Sequence, residues 1–187
     1  MAQKSLSAKE KPLSLKAEID MTQTQKIIAT ALGVKDISSG TRVYISEQSD
    51  GISFYEPICG AFGKLFIKDK IFTVPESIFI DLTAPLRYDV TSEEIAEYIK
   101  TVLSKKDITA KALEFGGDSM TYLTMDDRIE IVKALSECEK KPFCVIFEYD
   151  YITAEYTLEH FSKKPVTFFN DGPQFFEEVI SLALDKA

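Results

Sequence analysis

The chain has no tryptophan, one histidine, three cysteines and only three arginines (Arg42, Arg87 and Arg128) in 187 residues. Each scarcity excludes something. Cys59, Cys138 and Cys144 are an odd set without Cys-x-x-Cys spacing, which argues against a disulfide framework or a zinc site and fits a reducing compartment. Any Cys-His or Ser-His pair must use His160, and none of the cysteines sits in a nucleophile motif. Basic residues number 22 against 30 acids, for a net charge of −8 and a pI near 4.8. Phosphate-backbone binding rests on clustered Lys and Arg, so nucleic acid is not an expected partner. The pairs Lys105-Lys106, Lys140-Lys141 and Lys163-Lys164 fall near predicted helix ends or loops, where a cation favours the helix C-terminal dipole. No apolar run reaches membrane-spanning length and none at the N-terminus resembles a signal peptide, so the expectation is a cytoplasmic protein without membrane insertion.

What the chain does contain is phenyl rings, thirteen Phe and eight Tyr, within an apolar fraction high enough for one real core. The run Phe143 to Asp150 follows Lys141-Pro142 and is too short and too apolar for a globular helix. It reads as a strand buried on both faces, as does Ser77 to Thr83. Residues 1–16 read as a flexible lead-in and 17–187 as a single α/β domain. A helix is expected from Asp20, capped by Asp20 or Thr22 and stopped by Gly33. Two antiparallel hairpins follow, Thr41–Ser46 with Ile52–Ile58 and Lys64–Lys68 with Ile71–Val74. Helices capped at Thr91 and Thr124 alternate with strands at Ala112–Phe115 and Phe143 in the manner of β-α-β crossovers. Tyr151 to Phe161 reads as helix and Val166 to Phe169 as a brief strand. Pro173 opens a last helix with a wide apolar arc through Leu184. The fold class is thus α+β or α/β: a mixed sheet with an N-terminal antiparallel meander, then crossovers, with helices packed on it.

Two constellations carry candidate chemistry. Asp81, Asp118, Asp150 and Asp171 fall at or just after predicted strands, where ligands of open α/β sheets bind. Converging there, Asp81 with Asp118 or Asp150 could hold Mg²⁺ for hydrolysis or phosphoryl transfer. The segment Phe79-Ile80-Asp81-Leu82-Thr83 resembles the first motif of haloacid-dehalogenase-type phosphatases, but Thr83 stands where that family has its second Asp. The Phe115-Gly116-Gly117-Asp118-Ser119 loop reads as a turn needing positive φ rather than a phosphate loop. Cys144 and Cys138 read as small core residues.

The second constellation is aromatic. Tyr149, Tyr151, Tyr156 and Phe161 cluster in one segment beside Glu148, Asp150, Glu155 and Glu159, and adjacent positions there cannot all point inward. Rings facing outward would form an apolar, acid-rimmed surface for a basic or apolar protein segment. In size and composition the chain resembles the small acidic adaptors and chaperones of bacterial secretion systems. That resemblance implies a non-enzymatic binding function in the cytoplasm and a possible place as a subunit of a larger complex, with no metal or cofactor expected. The aromatic cluster itself, not the resemblance, assigns Tyr149, Tyr151, Tyr156 and Phe161 as partner-binding residues.

Overall fold

A computed structural model describes residues 20–44, 62–65, 71–160, 168–172 and 175–187. The lead-in, Cys59 and Phe161 lie outside them, as does the expected strand Ile52–Ile58. Two sheets form. A small antiparallel pair joins β1 (Arg42–Tyr44) to β3 (Ile71–Thr73). The main sheet contains β2 (Phe62–Leu65), β4 (Ser77–Thr83), β5 (Ala112–Gly116), β6 (Cys144–Phe147) and β7 (Glu178–Ala183). Its order is β2-β6-β5-β4-β7, with β6, β5, β4 and β7 parallel and β2 antiparallel at one edge. This is the mixed α/β sheet that the alternation of elements leads one to expect.

Local chemistry sets the helix starts. Thr22, Thr91 and Thr124 each close a capping box, with Gln25, Glu94 and Asp127, at the heads of α1 (Gln23–Leu32), α2 (Ser92–Leu103) and α3 (Met125–Ser136). Gly33 ends α1 in the left-handed region, at φ 67°. The fourth helix, α4, spans Tyr151–His160. The successive crossovers β4-α2-β5 and β5-α3-β6 step the same way along the sheet, so both helices lie on one face. Ile95, Ile99 and Leu103 of α2 and Ile131, Val132 and Leu135 of α3 pack there against Ile78, Ile80, Leu82, Leu113, Phe115, Val145 and Phe147.

β3 pairs with β1, and β2 with β6, both antiparallel and between partners distant in sequence. Residues 66–70, through which the expected hairpin between Lys64–Lys68 and Ile71–Val74 would run, lie outside the described residues. One helix differs from expectation. The expected last helix is strand β7. Ile180 and Leu182 are buried while Val179 and Ser181 face the other way, and the strand lies in register with β4 from Ile78↔Glu178 to Thr83↔Ala183. Its run of aliphatic residues fits a helical arc and a period-two strand alike, and the open edge of β4 decides between them. Phe168 and Phe169 are irregular rather than a strand. Among the described residues no helix is long and apolar enough to cross a membrane.

Candidate active site

The second face of the sheet is polar at its centre. Register puts Ser77, Phe79 and Asp81 of β4, Ala112, Glu114 and Gly116 of β5, and Cys144 and Ile146 of β6 on this side. Helix α1 covers part of it, with Ile27 against Ala112, Cys144 and Ile146.

Glu114 is fully buried in the central strand. Its carboxylate accepts the backbone N–H groups of Gln23 and Thr24, both at 3.1 Å, and the Ser77 hydroxyl at 2.9 Å. It therefore sits at the positive end of α1, where a carboxylate is favoured. Burial nevertheless pushes its pKa up, against the hydrogen bonds from Thr24 and Ser77 that pull it down.

Glu148 follows β6 directly and is partly buried. Burial raises its pKa, the Asn170 amide opposes this, and the charge of Glu114 raises it again. Asn170 Nδ2 donates to Glu148 Oε1 at 3.2 Å. The other oxygen, Oε2, lies over Gly116, 2.6 Å from where a Cβ would stand, and the Phe79 ring closes the same space. Asp81, opposite Gly116 on β4, holds its Oδ1 over Gly117 and accepts the Ser181 hydroxyl on Oδ2 at 3.3 Å. Asp81 and Glu148 thus flank the glycine pair from the two neighbouring strands. Two strand spacings separate their backbones by roughly 10 Å. The arrangement offers a carboxyl whose protonated form is favoured beside a second carboxylate, the material for general acid and base work.

The residues singled out from sequence are distributed differently. Of the four aspartates, Asp81 alone lies on a strand of this face. Asp118 is exposed, starting a 3-10 turn (Asp118–Tyr122) behind Gly117, whose φ of 99° is the positive value expected of that turn. Asp150 is taken up by Arg128. Burial pushes the Asp150 carboxyl up, but Arg128 and the Thr153 N–H outweigh this and hold it below the usual range. Asp171 binds Lys26 and the Met21 N–H at the start of α1. Among the described residues no three of His, Cys, Asp and Glu are grouped as a metal ion would require. Of the aromatic set, Tyr151 is 65% exposed, Tyr149 is half-buried, and Tyr156 packs on the main core and stacks on His160.

Glu114, Glu148 and Asn170 were the residues that sequence reasoning missed as a group. The signal for Glu114 was a lone charge in an otherwise apolar strand. Glu148 was visible only as a rim acid, and Asn170 gave no signal beyond its place before an Asp-Gly pair.

Comparison with known proteins finds an enzyme. The chain is 32% identical over 115 residues to the 3-isopropylmalate dehydratase large subunit of Clostridium botulinum, covering 61% of this chain and 27% of that protein. With the same subunit of Syntrophus aciditrophicus it shares 33% over 116 residues, 62% and 27% of the two chains. With that of Caldicellulosiruptor saccharolyticus it shares 29% over 139 residues, 74% and 31%. The chain therefore spans about a quarter to a third of the length of these relatives. No family model matches. These relatives overturn the expectation of a non-enzymatic secretion adaptor or chaperone. Composition and acidity, on which the adaptor resemblance rested, are shared by proteins of unrelated function.

Proposed function

We propose that this chain serves a hydro-lyase of the 3-isopropylmalate dehydratase kind, contributing acid–base carboxyls to a site that a larger assembly completes. The observation that carries this reading is the one-third identity, over more than half of the chain, to dehydratase large subunits. Loss of water from a hydroxy acid breaks the C–H bond beside a carboxylate and the C–O bond of the neighbouring hydroxyl. A C=C bond forms between the two carbons. A base takes the proton, and an acid returns one to the departing hydroxyl so that it leaves as water. Glu148, whose protonated form is favoured by burial and by Glu114, suits the acid. Asp81, oriented by Ser181, suits the base.

The proposed assembly answers to charge. A malate derivative carries two carboxylates, and this face presents carboxylates of its own. Nearby cations are engaged elsewhere: Lys26 on Asp171 and the Phe169 carbonyl, Lys111 on Glu76 and Glu177, Arg128 on Asp150. An assembly would supply further basic groups for the substrate's carboxylates. The test is to supply 3-isopropylmalate to the purified chain and to the chain isolated with its native companions, following the ultraviolet absorbance of the conjugated alkene. Turnover that falls by about 10²-fold or more in Glu148→Gln is expected. Absence of turnover in both preparations overturns the reading.

A further inference from the structure

Residues 168–172 are tied to α1 on several sides. The Asp171 carboxylate accepts the Met21 N–H at 2.8 Å and the Lys26 ammonium at 2.5 Å, and the Asp171 N–H donates back to the Met21 carbonyl. Within this segment, Asn170 faces a donor on one side and an acceptor on the other. The Gln23 backbone N–H, at 2.7 Å, can only donate, so the amide oxygen must face it. The NH₂ group is thereby turned to Glu148 Oε1. The orientation of the amide follows from the backbone of α1, independently of any choice between O and N in the side chain.

We propose that Asn170 is the positioning residue of Glu148: it holds Oε1 and leaves Oε2, above Gly116, as the oxygen that exchanges protons. The catalytic consequence rests on the dehydratase reading; the hold on Glu148 does not. Three sets of charges surround this carboxyl. Glu114 acts from β5, and Asp81 lies beyond the glycine pair on β4. The Lys26–Asp171 pair lies across α1 and the 168–172 segment. Burial and the charge of Glu114 disfavour a charged Glu148. Asn170 is the one donor to the Glu148 carboxylate among the described residues, and so the group that favours the charged form.

The experiment is a carboxyl ¹³C NMR titration of Glu148 in the full chain, with the pH profile of turnover beside it. Removing one hydrogen bond to a carboxylate in Asn170→Ala is expected to raise the Glu148 midpoint by about one pH unit. Asn170→Asp keeps the shape and the acceptor for Gln23 and sets a second carboxylate against Glu148, so its midpoint should rise further. The acidic limb of the turnover profile should move with the NMR midpoint in both variants. A folded Asn170→Ala with an unmoved midpoint overturns the proposal. Should that variant not fold, an unmoved midpoint in Asn170→Asp does the same. A shift accompanied by no turnover in either the purified wild-type chain or the chain isolated with its native companions sinks the dehydratase reading and leaves the hold of Asn170 on Glu148 standing.

Discussion

Arg128 and Asp150 form a two-pronged ion pair, Nη1 to Oδ1 at 2.9 Å and Nη2 to Oδ2 at 2.5 Å, with the guanidinium completely buried. Nη1 also reaches the Thr153 hydroxyl and Nη2 the Met120 carbonyl, and the guanidinium lies over the Phe147 ring. Asp150 in turn accepts the Thr153 N–H. One side chain thus ties the 3-10 turn after β5, the head of α3, the end of β6 and the head of α4.

Breaking that pair should be costly. Asp150→Ala leaves a buried guanidinium without its counter-ion, and a loss of about 3–5 kcal/mol in unfolding free energy is expected by urea denaturation. Replacing both partners by apolar residues, Arg128→Met with Asp150→Leu, should cost less than Asp150→Ala alone, because no charge is then stranded in the core. A double variant less stable than the single one would show that the tie works through its hydrogen bonds to Met120 and Thr153 rather than through charge balance.

Glu114 and Asp150 pull the pH dependence of stability in opposite directions. The folded pKa of Glu114 is raised, so the folded state holds this proton more tightly than the unfolded chain. The stability it contributes is full below the ordinary Glu value and is lost as pH rises through the folded value. The folded pKa of Asp150 is lowered, so its contribution is present above the ordinary Asp value and lost as pH falls. Glu114→Gln removes the first effect alone. Urea midpoints measured across mildly acidic to neutral pH should show the wild-type advantage over this variant shrinking as pH rises. A constant gap would mean that Glu114 does not titrate differently in the folded state.

What was legible in the sequence was local. The capping boxes at Thr91 and Thr124 involve residues three apart, and the buried runs Ser77–Thr83 and Cys144–Phe147 announce themselves by composition. What was illegible depends on partners far along the chain. Val179, Ile180 and Leu182 suit a helix or a strand, and only the edge of β4 settles the matter. Asp150 looks like a strand-end ligand until Arg128, 22 residues earlier, is seen beside it. Glu148 and Asn170 meet because α1, from the start of the chain, holds the segment that carries Asn170. Composition fixes solubility and charge, and it misled when taken as a guide to function.

The thiols give a probe of the covered face. Burial pushes the Cys144 thiol well up, the charge of Glu114 adds to this, and the thiol lies 3.8 Å from the Thr24 hydroxyl beneath α1. Burial also raises Cys138, though that residue is only half-buried. Since the thiolate is the reactive species, alkylation under native conditions followed by peptide mass mapping should modify Cys138 before Cys144. Cys144 should react only as α1 lifts or the chain unfolds. Early modification of Cys144 would mean that α1 leaves the sheet readily in solution.

The two central glycines should differ in what an added methyl group costs the fold. At Gly117 an added Cβ would lie 2.7 and 2.8 Å from the Leu82 backbone, and the φ of 99° disfavours any L side chain. Backbone cannot yield as a side chain can, so Gly117→Ala should destabilise the fold by roughly 2–4 kcal/mol. At Gly116 the obstacles are the far ends of two side chains, the Glu148 carboxylate and the Phe79 ring, each of which can turn aside. Gly116→Ala should therefore cost less stability, roughly 1–2 kcal/mol, while pushing Glu148 Oε2 out of the position from which it would give up its proton. Thermal melts and turnover of 3-isopropylmalate, measured on both variants, give the comparison. A Gly116→Ala protein that melts close to wild type and retains full turnover would remove Glu148 from the chemistry.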